Sequence, residues 1–378
     1  MKGIIIGGGI GGLTLGVALH QAGIDATVYE AAPEIKPVGA GIMLGTNAMQ
    51  VMQALGLEKE IIAAGQPVLN GGIADAKANI LQNMPLSALE AHFGIGTQAI
   101  HRGRLQAILI NALPKGKLVI NKKAKSVING IRPQVTFQDN TTIEADFLIG
   151  ADGIHSVVRK AVFPQIKERY AGQTCWRGVI KKVLPAEKRA QIKEMWSKEG
   201  RFAAIQIAED LVYWFAVQKT SANGKDNKET LHDDLMKTFG HFDMAKEIIL
   251  ATPKNQIMRN DLSDLEPTKV WHKGNIAFVG DAIHATTPNL GQGGAQAIED
   301  GLALARCFEK FEGLENIFSE YERLRVKKAN FIITQSRLFG RIAHWDNSLA
   351  ISCRNFLLKN MPSKPLIKQY LKLYEVNY

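Results

Sequence analysis

The chain has 378 residues, 46% hydrophobic and 22% charged, which suits a globular enzyme of two or three subdomains and argues against a disordered or fibrous chain. Lys and Arg outnumber Asp and Glu by 46 to 36, a net charge of +10, yet the basic residues are scattered (Lys122, Lys123 and Lys125; Lys181 and Lys182; Arg323, Arg325, Lys327 and Lys328). They read as a solvated face, and without a zinc-finger, RRM or KH signature no nucleic-acid partner is expected. Cys175, Cys307 and Cys353 are isolated, no run approaches the roughly 20 apolar residues of a membrane span, and the apolar N-terminal run ends at Ile6. A cytoplasmic protein with no integral membrane segment is the expectation.

In chain order, residues 3 to 6 read as a buried strand, followed by a glycine-rich turn, a helix from about Leu13 to Gln21 ended by Gly23, and a strand Ala26 to Tyr29: a βαβ opening. Asn47 to Leu55 and Gly103 to Leu113 read as helices, with short mixed elements between them over residues 71 to 99. Hairpin-like strands are expected from Leu118 to Phe137 and again from Ile143 to Ile149. Over 166 to 269 the pattern alternates and gains aromatics, as in Cys175 to Ile180, Phe202 to Ile207 and Leu211 to Val217, and predicts antiparallel strands. A short buried strand, Ile276 to Val279, precedes a helix from Gly294 to about Phe311, and Gln335 to Tyr378 reads as amphipathic helices broken by Pro362 and Pro365. The division expected is a dinucleotide-binding part at 1–70, 100–165 and 270–334, a substrate part at 71–99 and 166–269, and a helical segment at 335–378. In that tail Leu357, Leu358, Leu366 and Leu371 lie among Lys359, Lys364, Lys368 and Lys372, which suits a packed amphipathic cap or a membrane-surface contact.

Three motifs carry chemistry. Gly7-x-Gly9-x-x-Gly12 follows a strand and opens a helix: Gly7 permits the tight turn, Gly9 lets the backbone approach a pyrophosphate, and Gly12 allows close packing. The helix N-terminus adds free N–H groups, and Glu30 ends the second strand where a carboxylate can accept ribose hydroxyls. This module alone does not separate FAD from NAD. Gly39-Ala40-Gly41 lacks a preceding strand and reads as a loop near the cofactor, so a nicotinamide donor would bind only transiently. At the other end, Gly280-Asp281 and Gly291-Gln292-Gly293-Gly294 set a carboxylate and a run of backbone N–H groups around a helix start, suited to sugar hydroxyls and an anionic ring, or else to a simple tight turn.

Together with Gly150-Ala151-Asp152-Gly153, these motifs resemble the single-component flavoprotein hydroxylases of the p-hydroxybenzoate hydroxylase superfamily. The stretch Gly280 to Gly294 is similar to the salicylate hydroxylase, zeaxanthin epoxidase and FAD-dependent urate hydroxylase branch, and Glu34 to Ala40 is similar to the urate enzymes. The resemblance runs from the first strand to about Arg325. It implies an α/β fold in which a Rossmann-like FAD-binding domain is interleaved with an antiparallel-sheet substrate domain, plus C-terminal helices. It implies that Gly7, Gly9, Gly11, Gly12, Glu30 and Ala31 hold the ADP half of FAD and that Arg102 reaches the phosphates, Arg104 being the solvated alternative. Asp152 would serve FAD and NAD(P)H, with Arg159 supporting its turn. Asp281 would take ribityl hydroxyls, Gly291, Gln292, Gly293 and Gly294 would flank the isoalloxazine, and Pro288 would line the oxygen-reacting face.

The activity implied is monooxygenation: NAD(P)H reduces FAD, O2 gives a C4a-hydroperoxide, and one oxygen passes to a small aromatic, heteroaromatic or unsaturated ring. No metal is required, and His92, His101, His155 and His284 read as structural or surface groups. A flavin halogenase would carry W-x-W-x-I-P, whereas Trp176 is followed by Arg177-Gly178-Val179. A flavin dehydrogenase without oxygen transfer and a non-enzymatic flavin sensor remain as rivals. For the substrate, Arg201 and Tyr213 are the candidates. A three-residue loop at Ala208-Glu209-Asp210 pairs Tyr213 with Ile205 and puts both candidates on one face, while a two-residue loop puts them on opposite faces. The urate hydroxylases have the same spacing, with both residues on the substrate. An arginine and a phenol could bind an anionic or enolic ring and help remove its proton; otherwise they are an exposed strand-start arginine and a half-buried sheet tyrosine.

Overall fold

The computed structural model describes residues 1–35 and 40–378, so Lys36 to Gly39 of the urate-like stretch lie outside the described residues. A six-stranded sheet runs in the order His272–Lys273, Ile276–Phe278, Phe147–Gly150, Lys2–Ile6, Asp25–Tyr29, Leu118–Val119, parallel throughout except for its first pair. Parallel strands covered on both faces need continuous apolar runs, and Ile4, Ile5, Ile6, Leu148, Ile149 and Ala277 are all buried. The first helix, Ile10–Gln21, packs on the later helix Gly293–Lys310 so closely that a Cβ at Gly301 would come 2.9 Å from the Leu15 nitrogen, and one at Gly11 3.0 Å from the Ala297 Cβ.

Two expectations about strands are corrected. Leu118–Val119 takes no part in a hairpin but extends the parallel sheet beside Asp25–Tyr29. The run Ile143 to Ile149 is split at Ala145-Asp146: Thr142–Glu144 closes a small meander with Ala124–Ile128 and Gln134–Phe137, while Phe147–Gly150 enters the centre of the parallel sheet. The local pattern is apolar on both sides of the break, so only the partner strands distinguish the two pieces.

The second sheet has seven strands in the order Met258–Leu265, Glu168–Lys181, Leu211–Lys219, Arg201–Ala208, Gln191–Trp196, Asn70–Asp75, Ile80–Asn83. It is antiparallel apart from one parallel pair, Gln191–Trp196 with Asn70–Asp75, which brings a strand from before residue 100 into the later unit. Alternation sorts its side chains. Trp176, Phe202, Val212, Trp214 and Ala216 pack under the helices Leu231–Phe239 and Ala245–Ala251, with Trp214 Nε1 donating to Thr252 Oγ1 at 2.9 Å. The opposite face carries Cys175, Arg177, Arg201, Ile205, Tyr213, Phe215 and Val217.

The helix Leu314–Ala343 runs unbroken through the expected boundary at 335; the break falls at residues 344–347, where the Asn347 side chain accepts from the Leu349 and Ala350 nitrogens and starts Ser348–Lys359. Pro362 precedes the last helix, Ser363–Tyr374, but Pro365 does not break it. It sits in the first turn, where the missing N–H has no intrahelical acceptor.

Candidate active site

The three motifs follow the carboxyl ends of three neighbouring parallel strands, Lys2–Ile6, Phe147–Gly150 and Ile276–Phe278, the place where open α/β sheets bind ligands. Gly7 has φ +113°, and a Cβ there would come 2.3 Å from the Ala151 oxygen; a Cβ at Gly12 would come 2.0 Å from the Gly7 oxygen. These two glycines lock the fingerprint turn against the Asp152 turn. At Gly9, by contrast, a Cβ would meet no protein atom within 4 Å, and the helix it caps has neither a side-chain cap nor an acidic residue in its first turn. Open space before an uncapped helix N-terminus fits a phosphate. The Glu30 carboxylate accepts from the Gly8 nitrogen at 2.6 Å and the Ala32 nitrogen at 2.8 Å, each oxygen keeping a lone pair, while Ala31 is exposed beside it.

Asp152 Oδ2 accepts from the nitrogens of Val157 (2.7 Å) and Val158 (3.2 Å), while burial raises its carboxyl pKa and leaves Oδ1 without a partner among the described residues. Arg159 ties this turn to the third motif, donating to the Ile154 oxygen at 2.5 Å and the Ala282 oxygen at 2.7 Å. Asp281 opens onto a cavity though protein surrounds it; burial raises its carboxyl pKa, against the lowering by His284 and Arg102. Behind it, Asp300 accepts from the Gly280 nitrogen at 2.8 Å and from Arg325 Nε at 2.8 Å. It also pairs with His284 Nε2 at 2.5 Å; against the burial that would raise its pKa, His284 and Arg325 hold it down to about 2. His284 is thus structural, as is His101, which caps the helix Arg102–Ala112 by accepting from the Gly103 nitrogen at 3.1 Å.

The cavity, about 500 Å3, lies between the Tyr213 face of the seven-stranded sheet and these turns. Of the candidate residues it brings together Arg102, Arg201, Tyr213, Asp281, Pro288, Gly291, Gly293 and Gly294. Gly7, Gly9, Gly11, Gly12, Glu30, Ala31 and Asp152 lie along the adjoining strand ends instead. Gly11 packs on Ala297, so its Cα hydrogen serves the helix crossing. The Gln292 side chain is buried away from the cavity, accepting from Asn47 Nδ2 at 2.9 Å and Gln296 Nε2 at 3.3 Å, which leaves only its backbone for a ligand. Arg104 is exposed and donates to the Ala64 oxygen. Ala40 and Gly41 line the cavity, and Gly41 already begins a strand, Gly41–Leu44, where a Cβ would strike the Tyr213 ring at 2.6 Å.

The turn after Arg201–Ala208 has two residues, Glu209-Asp210, with Ala208 opposite Leu211, yet Tyr213 pairs with Ile205 because a bulge at Ile207 restores the register. Arg201 and Tyr213 therefore share a face. Arg201 is 1% exposed, not at the surface; its Nη1 donates to Glu194 Oε1 at 2.7 Å and its Nη2 to Asn289 Oδ1 at 2.5 Å, and Nε has no partner among the described residues. Burial, with a smaller push from Cys175, raises the Tyr213 phenol pKa above its ordinary value. Sequence reading missed Arg177, whose Nη2 donates to Asn260 Oδ1 at 3.0 Å, and missed Glu194 and Asn289. Arg177 was open to detection, because it alternates with Cys175 and Val179 on the face opposite Trp176. Cys175 also lines the cavity, but burial pushes its thiol up to about 11, so it stays protonated.

Comparison with known proteins decides between the nucleotides that the geometry admits. A family model described as an FAD binding domain matches residues 1–335. The chain belongs to that family, among its flavin monooxygenases. This FAD-dependent monooxygenase is 37% identical to the aurachin C monooxygenase/isomerase of Stigmatella aurantiaca, over 95% of this chain and 94% of that protein. It is 31% identical to the 2-heptyl-3-hydroxy-4(1H)-quinolone synthase of Pseudomonas aeruginosa, over 98% and 97%. Among solved structures, HpxO of Klebsiella pneumoniae with FAD and uric acid superposes with a TM-score of 0.90 at 27% identity, over 99% of this chain and 96% of that one. The interleaved two-sheet fold of the monooxygenase is thus the fold of that enzyme.

Proposed function

We propose that this flavin monooxygenase uses NAD(P)H and O2 to hydroxylate or epoxidise a nitrogen heteroaromatic of the 2-alkyl-4(1H)-quinolone class. The observation that carries the substrate class is the wall of the cavity. Beside a polar side that includes Arg102, Arg177, Asn260 and Asp281, it presents Ile42, Met43, Met84, Ile192, Ile205, Phe215, Leu262, Phe339 and Tyr370, an apolar surface suited to an alkylated bicycle. A purine such as urate would leave much of that wall facing polar edges.

The chemistry FAD supplies when bound is hydride acceptance and activation of dioxygen. The ADP half would lie on Gly9 and the uncapped helix start, with ribose hydroxyls on the free lone pairs of Glu30. Arg102, at the cavity edge, would neutralise phosphate. Asp281 would take ribityl hydroxyls, and the backbone from Gly291 to Gly294 would stabilise negative charge on the ring. Asp152 would serve FAD or the nicotinamide donor by holding its turn, its carboxylate accepting from the Val157 and Val158 nitrogens. Pro288 would form the wall above the reacting ring. Arg201, buried in the cavity wall with its terminal nitrogens engaged, would contribute its charge beside the substrate carbonyl, and Tyr213, held as the protonated phenol, would orient the ring by hydrogen bonding instead of acting as a base. Apolar walls exclude water, which keeps NAD(P)H consumption coupled to oxygen transfer.

Substrate-stimulated NAD(P)H oxidation across 2-alkylquinolones, purines and simple phenols tests this. Strong stimulation by the quinolones with an oxygenated product is expected; stimulation by urate alone would overturn the substrate class and leave the flavin assignment standing.

A further inference from the structure

The helix Ser348–Lys359 carries apolar side chains on its outer face as well as its inner one. Leu349, Cys353, Phe356 and Leu357, at spacing i, i+4, i+7 and i+8, form one stripe, and it faces solvent: Leu349 is 82%, Phe356 67% and Leu357 58% exposed. The inward face instead buries Arg354, whose Nη1 donates to the Ala343 oxygen at 3.0 Å and whose guanidinium lies 5.0 Å from the Trp196 ring, and packs Leu358 near Ile73 and Trp196. Trp345 just before the helix and Met361 just after it are also exposed. The next helix, Ser363–Tyr374, turns Tyr370, Leu371 and Leu373 inward and leaves Lys364, Lys368 and Lys372, again at spacing i, i+4 and i+8, in solvent. Lys359 flanks the apolar stripe.

We infer that these two helices dock the enzyme peripherally on an anionic lipid surface, with Leu349, Phe356 and Leu357 entering the interface and the lysine row meeting the headgroups. An exposed apolar stripe with Lys359 at its end, followed by a helix with a solvent-facing lysine row, is complementary to such a surface. A second copy would be the rival occupant, but it would have to bring together two chains of net charge +10, which charge opposes. No described helix is long and apolar enough to cross a membrane, so the attachment is to one leaflet. The inner side of the docking helix also borders the cavity: Ile73 and Phe339, in the cluster with Leu358, line it, and Gln82, another lining residue, contacts Met361 Sδ at 2.9 Å. Docking therefore sets the cavity wall beside the lipid, where an alkylated substrate partitions; this consequence for substrate rests on the proposed function, the docking itself does not.

Flotation of the full holoprotein with vesicles of phosphatidylcholine alone or mixed with phosphatidylglycerol tests the inference without any substrate. Binding to the phosphatidylglycerol vesicles, weakened by salt, is expected. Leu349→Gln, Phe356→Gln and Leu357→Gln combined should weaken it about tenfold or more, and Lys364→Gln, Lys368→Gln and Lys372→Gln combined should abolish the preference for anionic lipid. Flavin content and substrate-stimulated NAD(P)H oxidation in detergent-free buffer should match wild type in both variants. Failure of the wild type to float with either vesicle overturns the docking, as does a wild-type dimer that becomes a monomer when the apolar stripe is replaced.

Discussion

Arg201 is held from two directions, by Glu194 and Asn289, and this decides what its substitution reports. Arg201→Gln removes one partner of a buried ion pair, which costs about 3–5 kcal/mol in such settings. We expect its Tm to fall along with its turnover. Tyr213→Phe leaves the pair intact and deletes one hydroxyl, so flavin content and Tm should stay near wild type while kcat/KM for the ring substrate drops about tenfold; steady-state kinetics beside a thermal melt separate the two. Full stimulated turnover in Tyr213→Phe would remove the phenol from the site. Asp281→Ala should weaken FAD by about 1–3 kcal/mol, the loss of a charge-assisted bond, read by titrating apoprotein with the cofactor. At this scale the sequence was informative wherever a motif places the backbone, and it was silent about side-chain direction. Gln292 sits inside the glycine run, yet its amide is taken by Asn47, 245 positions away, and no local pattern encodes that contact.

The fingerprint turn separates two kinds of glycine within one element. Gly12→Ala forces a methyl to within 2.0 Å of the Gly7 oxygen, so helix and turn must part, and we expect loss of both FAD retention and thermal stability. Gly9→Ala meets no protein atom within 4 Å and should fold normally, yet lose FAD affinity because the methyl enters the space beside the helix start. If Gly9→Ala binds FAD as tightly as wild type, the phosphate does not lie there. The βαβ opening and the sheet alternation that carries Arg201 and Tyr213 were legible because period and turn residues agree. The separate fates of Leu118–Val119 and Phe147–Gly150 were not, because a two-residue edge strand and a split apolar run acquire their identity only from partners far along the chain. The hairpin after Ala208 shows the same limit: its turn length alone gives the wrong face, and the bulge at Ile207 corrects it.

Over the whole molecule, one buried network joins the last residue to the cofactor end. The Tyr378 hydroxyl donates to Glu299 Oε2 at 2.6 Å, Glu299 and Asp300 both pair with Arg325, and Asp300 supports the Gly280 nitrogen. Asp300 titrates at about 2 in the folded chain, below the roughly 3.9 of an unfolded aspartate, so its stabilisation is present above pH of about 4 and is lost as pH falls through about 2. Thermal melts across that range should show steep acid destabilisation of the wild type together with flavin release, and a shallower acid slope, from a lower starting Tm, in Asp300→Asn. A wild-type Tm flat from neutral pH to about 2 would contradict it. The overall architecture was legible because its motifs fall at strand ends; the length of the helix Leu314–Ala343 was not, since its 30 residues contain no breaking residue near 335.

Turnover under isotope-labelled dioxygen, with the compound that most stimulates NAD(P)H oxidation, tests oxygen transfer itself. One labelled oxygen atom should appear in the product for each NAD(P)H consumed. Unlabelled product, or NAD(P)H consumption that proceeds equally well without oxygen on an artificial acceptor, would contradict it.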